Sequence, residues 1–223
     1  MIDLHSHTIL SDGILLASEQ ARRAEEQGYQ AIALTDHVDA GNIEHVVKCL
    51  VSSCRDINAN WKIKAVPGVE LTHVPLESIA ELATKARSIG AVIVLVHGET
   101  PVEPVIHGTN LWAVKADIDI LAHPGLIDAE VVKIAAERGI YLELTTRRGH
   151  SLTNGHVARM AKAHGAKLVI NTDSHQPGDL MTEELRRLTG LGAGLGLDEF
   201  DRAINNSRIL LNRINQYQEG ESK

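Results

Sequence analysis

Seven short apolar runs in this chain stop at or just before a polar residue, and six of the stops carry histidine, aspartate or glutamate. They are His5 and His7 in IDLHSHT, His37 in AIALTDH, Glu70 in AVPGVEL, His97 in VIVLVHG, His123 in DILAHPG, and Asp173 with His175 in LVINTDSH. Imidazole nitrogen and carboxylate oxygen are the donors that Zn²⁺, Mn²⁺ or Fe²⁺ take, and the chain offers little thiolate competition. His5 and His7 have period-two spacing, so on an extended strand end both rings face one way. One such pair is a weak signal. Its recurrence at successive strand ends is a strong one, because these residue types do not suit a dry core unless paired.

The elements that must position these residues follow a regular rhythm. Strands are expected at about Ile2–Leu4, Ala31–Thr35, Lys64–Leu71, Ala91–His97, Ile118–Ala122, Ile140–Leu144 and Lys167–Asn171. Helices are expected at about Leu16–Gln27, Ile43–Asn58, Pro75–Ile89, Leu111–Ala116, Asp128–Glu137 and Asn154–His164. In the first, Ala17, Ala21 and Ala24 share one face, while Arg22, Arg23, Glu25 and Glu26 cover the other. Gly28, Gly90, Gly139 and Gly165 each stand between a helix and the next strand, where a left-handed cap turns the chain back. Repeated helix, glycine and buried strand predict an α/β protein, a single-domain barrel of β/α units spanning residues 1–223. Its parallel strands would all end on one face, bringing the ligand-type residues together. The Gly/Leu stretch Leu188–Leu197 lacks the Walker lysine and dinucleotide spacing and reads as a turn between two helices. The second, about 198–214, carries Phe200, Ile204, Leu210, Leu211 and Ile214 and is expected to close the bottom or side of the barrel.

Composition limits the partners. With 223 residues and 43% hydrophobic content, the chain is short for eight β/α units but sufficient for seven. A net charge of −7 argues against a long nucleic acid or an anionic membrane as partner. Bound divalent cations would still make one cleft attractive to a small anion. Cys49 and Cys54 fall in one predicted helix, so a disulfide between them is not expected and a reducing compartment fits. There is no basic and apolar leader pattern and no run of membrane-spanning length, which predicts a cytoplasmic protein.

The motifs HSH at 5–7, SDG at 11–13, TDH at 35–37, PGVE at 67–70, VHG at 96–98, AHPG at 122–125 and TDSH at 172–175 resemble those of the PHP (polymerase and histidinol phosphatase) family of metal-dependent phosphoesterases. The resemblance covers nearly the whole chain. It implies a distorted, TIM-like seven-stranded (β/α)7 barrel and up to three divalent metals, zinc, manganese or iron. By the same resemblance His5, His7, Asp173 and a bridging Glu70 form a first site, and Glu70, His97 and His123 a second. Asp12, His37 and His175 form a third; the position of Asp12 is histidine in some relatives. Asp36 is similar to an acidic neighbour that orients an imidazole, with capping of the following helix as its alternative role.

Such a centre suits phosphate ester hydrolysis. Three divalent ions bring about six positive charges, and Asp12, Glu70, Asp173 and a bridging hydroxide offset about four, leaving roughly the charge of a phosphate monoester dianion. Water held between ions is the expected nucleophile, and no GxSxG elbow or strand-end cysteine competes for that role. The sixth strand breaks the pattern with Glu143-Leu-Thr-Thr-Arg-Arg-Gly-His150, so Arg147 or Arg148 is expected to clamp the phosphate. His73, His150 and His156 are either substrate contacts or loop residues; His45 and His164 read as solvated helix positions. Segment 99–110, with Glu99, Glu103 and His107, is the expected substrate lid. The favoured function is a phosphatase acting on a small phosphomonoester such as histidinol phosphate. A phosphodiesterase acting on a small nucleotide is the alternative, although 3% aromatic content gives little to stack on a strand. A non-catalytic metal-binding scaffold ranks below both, since every ligand position is filled.

Overall fold

The computed structural model describes the backbone of residues 1–220 and the side chains of residues 1–213. The strands are β1 (Ile2–Asp3), β2 (Ala31–Leu34), β3 (His37–Val38), β4 (Lys64–Leu71), β5 (Ile93–His97), β6 (Ile120–Ala122), β7 (Tyr141–Thr145) and β8 (Lys167–Asn171). The helices are α1 (Ala17–Glu26), α2 (Ile43–Asn60), α3 (Ile79–Ser88), α4 (Thr109–Ala113), α5 (Ala129–Arg138), α6 (Asn154–His164), α7 (Glu183–Gly192) and α8 (Leu197–Gly220). Every strand pairing is parallel, and seven strands form a nearly closed barrel in the order β1-β2-β4-β5-β6-β7-β8. The two-residue β3 pairs with β4 at Glu70 and Leu71, beyond the stretch of β4 that pairs with β2.

The strands read as unbroken apolar runs because both of their faces are buried. Ala31, Ala33, Val66, Ile93, Leu95, Ile120, Ala122, Tyr141 and Val169 fill the interior with Ile2 and Leu4. Their alternates, among them Ile32, Leu34, Val69, Val94, Val96, Leu121, Leu142 and Ile170, pack against the helices. The inward parity of Val66, Tyr141 and Val169 continues upward to Glu70, Glu143 and Asn171. The layer above the apolar plug is therefore polar and fully buried.

The seam between β8 and β1 lacks a full ladder, since β1 contributes only two residues. Side chains complete it: Leu4 N donates to Asn171 Oδ1 (3.0 Å) and Thr172 N to Asp3 Oδ1 (3.1 Å). Main-chain bonds from Asp173 N to His5 O (3.0 Å) and His7 N to Ser174 O (2.8 Å) carry the closure to the ligand motifs. Below the seam, α8 packs on β8 and β1, and Leu210 enters the interior cluster with Leu211 beside it. Arg213 of α8 pairs with buried Asp119, which also accepts from Arg87 Nη2 (3.0 Å) and Val94 N (2.9 Å). The last helix thus closes the barrel bottom; the Ile214 side chain lies outside the described residues.

The elements depart from the sequence expectation in instructive places. Helix α7 runs into the Gly/Leu stretch, which narrows the turn to Ala193–Gly196. Gly190 is a packing residue inside that helix: a Cβ there would stand 2.7 Å from the Phe200 ring. Thr182 caps the helix by accepting from Leu185 N at 3.1 Å. The predicted helix from Pro75 opens as a 3₁₀ turn, Leu76–Ser78, before α3, and the fourth helix starts two residues early and ends at Ala113. Strands β5 and β6 start later than expected, after the Gly90 turn and after Asp119, whose carboxylate caps Val94. Cys49 and Cys54 are both free thiols in α2. No helix among the described residues is long and apolar enough to cross a membrane.

Leu210 is fully buried at the barrel floor. Leu210→Ala should lower the free energy of unfolding by about 2–5 kcal/mol in denaturant titration. An unchanged midpoint would show that α8 does not seal the interior.

Candidate metal centre

The upper ends of the strands hold the predicted ligands because the backbone leaves regular pairing there. Between β2 and β3 the chain steps aside at Thr35 and Asp36: Thr35 N donates to Ser6 O (2.8 Å), and Glu70 N donates to Asp36 O (3.1 Å). The Asp36 carboxylate accepts from Thr8 N (2.8 Å), Thr8 Oγ1 (2.8 Å) and Ser11 Oγ (2.7 Å). It therefore fixes the turn that carries Asp12. Burial pushes the Asp36 pKa up, against the pull of these hydroxyl and amide donors. His123, Asp173 and His73 adopt positive φ values of 26°, 54° and 52°, where L-residues are strained.

All nine predicted ligands converge on one face, with Glu70 at the centre. Glu70 Oε2 lies 2.8 Å from His37 Nδ1, 3.4 Å from His5 Nε2 and 3.7 Å from His7 Nε2, while Oε1 lies 3.5 Å from His123 Nε2. Asp173 Oδ1 is 3.1 Å from His7 Nε2, and Asp12 Oδ1 is 3.1 Å from His175 Nε2 and 3.5 Å from His37 Nε2. Among the described residues, five groupings have ligand atoms within 4.8 Å of one another: His7–Asp12–His37–His175, His5–His7–Glu70, His5–His123–Asp173, His97–His123–His150 and His73–His97–Glu103. The first contains the expected third set. The second and third divide the expected first set, and the fourth pairs His97 and His123 with a histidine outside the nine.

Whether these residues fit divalent ions can be judged from their unmet valences. Among the described residues, twelve buried side-chain polar atoms have no hydrogen-bond partner, and nine of them lie here, on His5, His7, Glu70, His123, His150 and Asp173. Both Glu70 oxygens are in this set, so the approaches of His37 and His123 to it lack hydrogen-bond geometry. Buried polar atoms without partners are costly and rare, and a cluster of imidazole and carboxylate orphans matches the donor set of zinc, manganese or iron. The residues fit.

Burial and mutual charge shape the protonation of these groups in the ion-free state. Burial opposes charge on His37, yet Glu70 and Asp12 outweigh it and hold His37 up at about 10. His5 is raised in the same way by Glu143, Glu70 and Asp173 against its burial. His7 is pushed down to about 3 by burial and by His37 beside it. Burial works to raise Glu70 and Asp173, but His5 in particular holds both carboxyls well below their ordinary range.

Sequence reasoning did not assign Glu143 a role. Its Oε1 bonds His5 Nδ1 (2.9 Å) and accepts from Asn171 Nδ2 (2.8 Å), and its Oε2 accepts from His123 N (3.2 Å). It thereby ties β1, β6 and β8 together and leaves His5 Nε2 facing Glu70. The available signal was its period-two spacing from Tyr141 along β7.

A cavity of about 210 Å³ opens on the centre, lined by Asp12, His37, His97, Asp173 and His175 and by five further residues, Thr72, His73, Glu103, Arg147 and His150. Of the two arginines, Arg147 lines it, braced by Asp179 at 3.1 Å; Arg148 is exposed and is not among the lining residues. His156 bonds Ile127 O (2.8 Å) at the periphery. In the expected lid, Glu99 ties the loop to itself through Gly108 N (3.1 Å) and Asn110 N (2.9 Å), while Glu103 reaches into the cavity.

Two outcomes are expected. Glu143→Gln should weaken metal binding by about 10–100-fold in competition titrations, because His5 loses its orienting carboxylate. A histidine raised in the folded state adds stability that is complete below its ordinary 6.5 and is lost as pH rises, for His37 through about 10. Ligation needs neutral imidazole, so metal binding tightens over the same interval. The melting-temperature gap between zinc-loaded and chelator-treated protein should widen as pH rises from 6.5 toward 10. A constant or narrowing gap would contradict ligation by these histidines.

Comparison with known proteins agrees with this geometry. The PHP domain profile matches residues 3–122. An uncharacterized protein of Methanocaldococcus jannaschii is 45% identical over 215 residues, covering 95% of this chain and 99% of that protein. A protein of Acetivibrio thermocellus described as a probable phosphatase is 24% identical, covering 96% of this chain and 98% of the relative. Among solved structures, a chain in the cryo-EM structure of archaeal ribonuclease P with mature tRNA shares the fold with a TM-score of 0.74 at 17% identity, covering 97% of this chain and 92% of that one. Histidinol phosphate phosphatase of Lactococcus lactis, solved with zinc, L-histidinol and phosphate, shares it with a TM-score of 0.65 at 17% identity, covering 87% of this chain and 94% of that one. With its profile match over more than half its length and a full-length relative of this similarity, the chain belongs to the PHP domain family.

Proposed function

We propose that this protein is a metal-dependent phosphoesterase that hydrolyses a small phosphomonoester, with histidinol phosphate as the first substrate to test. The observation that carries the proposal is the convergence of His5, His7, Asp12, His37, Glu70, His97, His123, Asp173 and His175 around partnerless buried donors at the floor of a small cavity. Up to three divalent ions, zinc, manganese or iron, fit this donor set, with Glu70 placed to serve more than one. When bound, such ions supply Lewis acidity and lower the pKa of water near neutral pH.

The chain's own residues do the rest. Glu143 and Asp36 hold His5 and the Asp12 turn in place. Arg147, half-buried at the wall and braced through Asp179, presents its guanidinium to the phosphate; Asp179 also accepts from His175 N at 3.0 Å, linking phosphate grip to ligand position. A cavity of about 210 Å³ suits a small leaving group, and the wall residues include no phenylalanine, tyrosine or tryptophan on which a nucleic-acid strand would stack. Relatives described as probable phosphatases and the Lactococcus lactis enzyme favour the same reaction class.

The likeness to a chain of archaeal ribonuclease P raises a second reading, a non-catalytic module of a larger assembly. Nine filled ligand positions favour catalysis over it. Metal-reconstituted protein should release phosphate from histidinol phosphate or another small ester in a substrate panel, and a nucleotide diester in the same panel tests the diesterase alternative. Removing a residue that merely orients a ligand costs about 10–100-fold, so Glu70→Gln should lower turnover by more than about 100-fold while the fold survives. Full activity in that variant would exclude a Glu70-centred metal mechanism. Silence of the metal-loaded wild type across the panel would favour the scaffold.

A further inference from the structure

The nine ligand positions do not exhaust the donors above the barrel. His150, at the start of a 3₁₀ turn after β7, is 6% exposed, and its Nδ1 has no hydrogen-bond partner. Its ring centroid lies 4.3 Å from that of His123 and 5.8 Å from that of His97. Ligand atoms of His97, His123 and His150 fall within 4.8 Å of one another, and both His123 nitrogens are buried without partners. His97 Nδ1 bonds Gly98 O (3.1 Å), so the ring donates there and its Nε2 is left as the ligating nitrogen.

A carboxylate reaches two rings of this trio. Glu103 Oε1 is 3.3 Å from His150 Nε2, and Oε2 is 3.2 Å from His97 Nε2 and 3.1 Å from His73 Nε2. Glu103 arrives on the 99–110 loop, whose base is knitted by Glu99 and by Asn110 Nδ2 donating to Pro124 O at 2.8 Å. Val102 rests on Gly149, which has a φ of +90°; a Cβ there would stand 3.2 Å from Val102, so the loop tip and the His150 turn are in close contact.

We propose that His97, His123 and His150 form a three-imidazole site for a divalent cation and that Glu103 is its capping carboxylate, so that metal loading holds the 99–110 loop shut over the cavity. The proposal rests on the metal-centre reading above and adds two residues, His150 and Glu103, to the ligand set. With Glu70, which approaches His123 from the other side, three imidazoles and Glu103 make a five-donor shell of the kind zinc reaches in its expanded state, and withdrawal of the loop-borne donor opens a coordination position. His73 Nε2 bonds Glu103 Oε2, the oxygen that also faces His97, and so helps to set the carboxylate's orientation.

The test uses the full chain, zinc-loaded and metal-free. Hydrogen exchange is followed over residues 99–110, and zinc equivalents and affinities are measured by elemental analysis and chelator competition. Zinc should slow exchange of the loop in the wild type. Glu103→Gln should lose that protection, and His150→Gln should weaken one zinc equivalent by more than about 100-fold, beyond the cost of losing an orienting partner alone. Wild-type affinity for every equivalent in His150→Gln, or wild-type loop protection in Glu103→Gln, would overturn the proposal. Should His150→Gln fail to fold, Glu103→Gln decides, because Glu103 is a partly exposed loop residue. The zinc and exchange readouts are independent of turnover. Protection lost as expected in a protein that hydrolyses no ester would sink the phosphatase reading and leave this one standing.

Discussion

Glu70 is a carboxylate with no access to solvent, and neither of its oxygens has a hydrogen bond. An ionised group in that position is tolerable only where positive charge surrounds it. His5, His7, His37 and His123 supply the surroundings, from three parts of the barrel rim. Without ions, those imidazoles can compensate Glu70 only by taking up protons, and the downward push on His7 shows that they cannot all do so. Cations placed among the rings would remove the conflict, because neutral imidazole and ionised carboxylate are then the favoured forms together.

The barrel makes this crowding affordable. Interior side chains below the rim are apolar and sealed at the bottom by Leu210, so the burial energy of the lower layers offsets strain and unmet valence above. The inward register that packs Val66, Tyr141 and Val169 carries Glu70, Glu143 and Asn171 into the next layer. Glu143 then locks His5 and the backbone at His123, and Asn171 closes the seam to β1. Ligand geometry and barrel closure therefore share the same hydrogen bonds.

Much of this was legible in the chain. Motifs at strand ends identified nine residues that the fold brings to one face, because a parallel barrel converts position along a strand into position on the rim. Glu143 was passed over because it lies inside an apolar run, where only its period-two spacing from Tyr141 marks it as inward-facing. His150 and Glu103 follow irregular backbone, a positive-φ Gly149 and a loop with Pro101 and Pro104, so no periodicity predicts where they arrive. The same irregularity separates Arg147, at the cavity wall, from its exposed neighbour Arg148. Asp36 bonds the turn bearing Asp12, a contact between segments that sequence spacing does not encode.

The most direct test of a Glu70-centred metal site is anomalous diffraction at the zinc edge from crystals of the zinc-loaded protein. Two or more anomalous peaks within bonding distance of the nine residues, at least two of them touching Glu70, are expected. Absence of any peak beside Glu70 in fully loaded protein would contradict the central claim and leave the buried carboxylate to be explained by proton sharing alone.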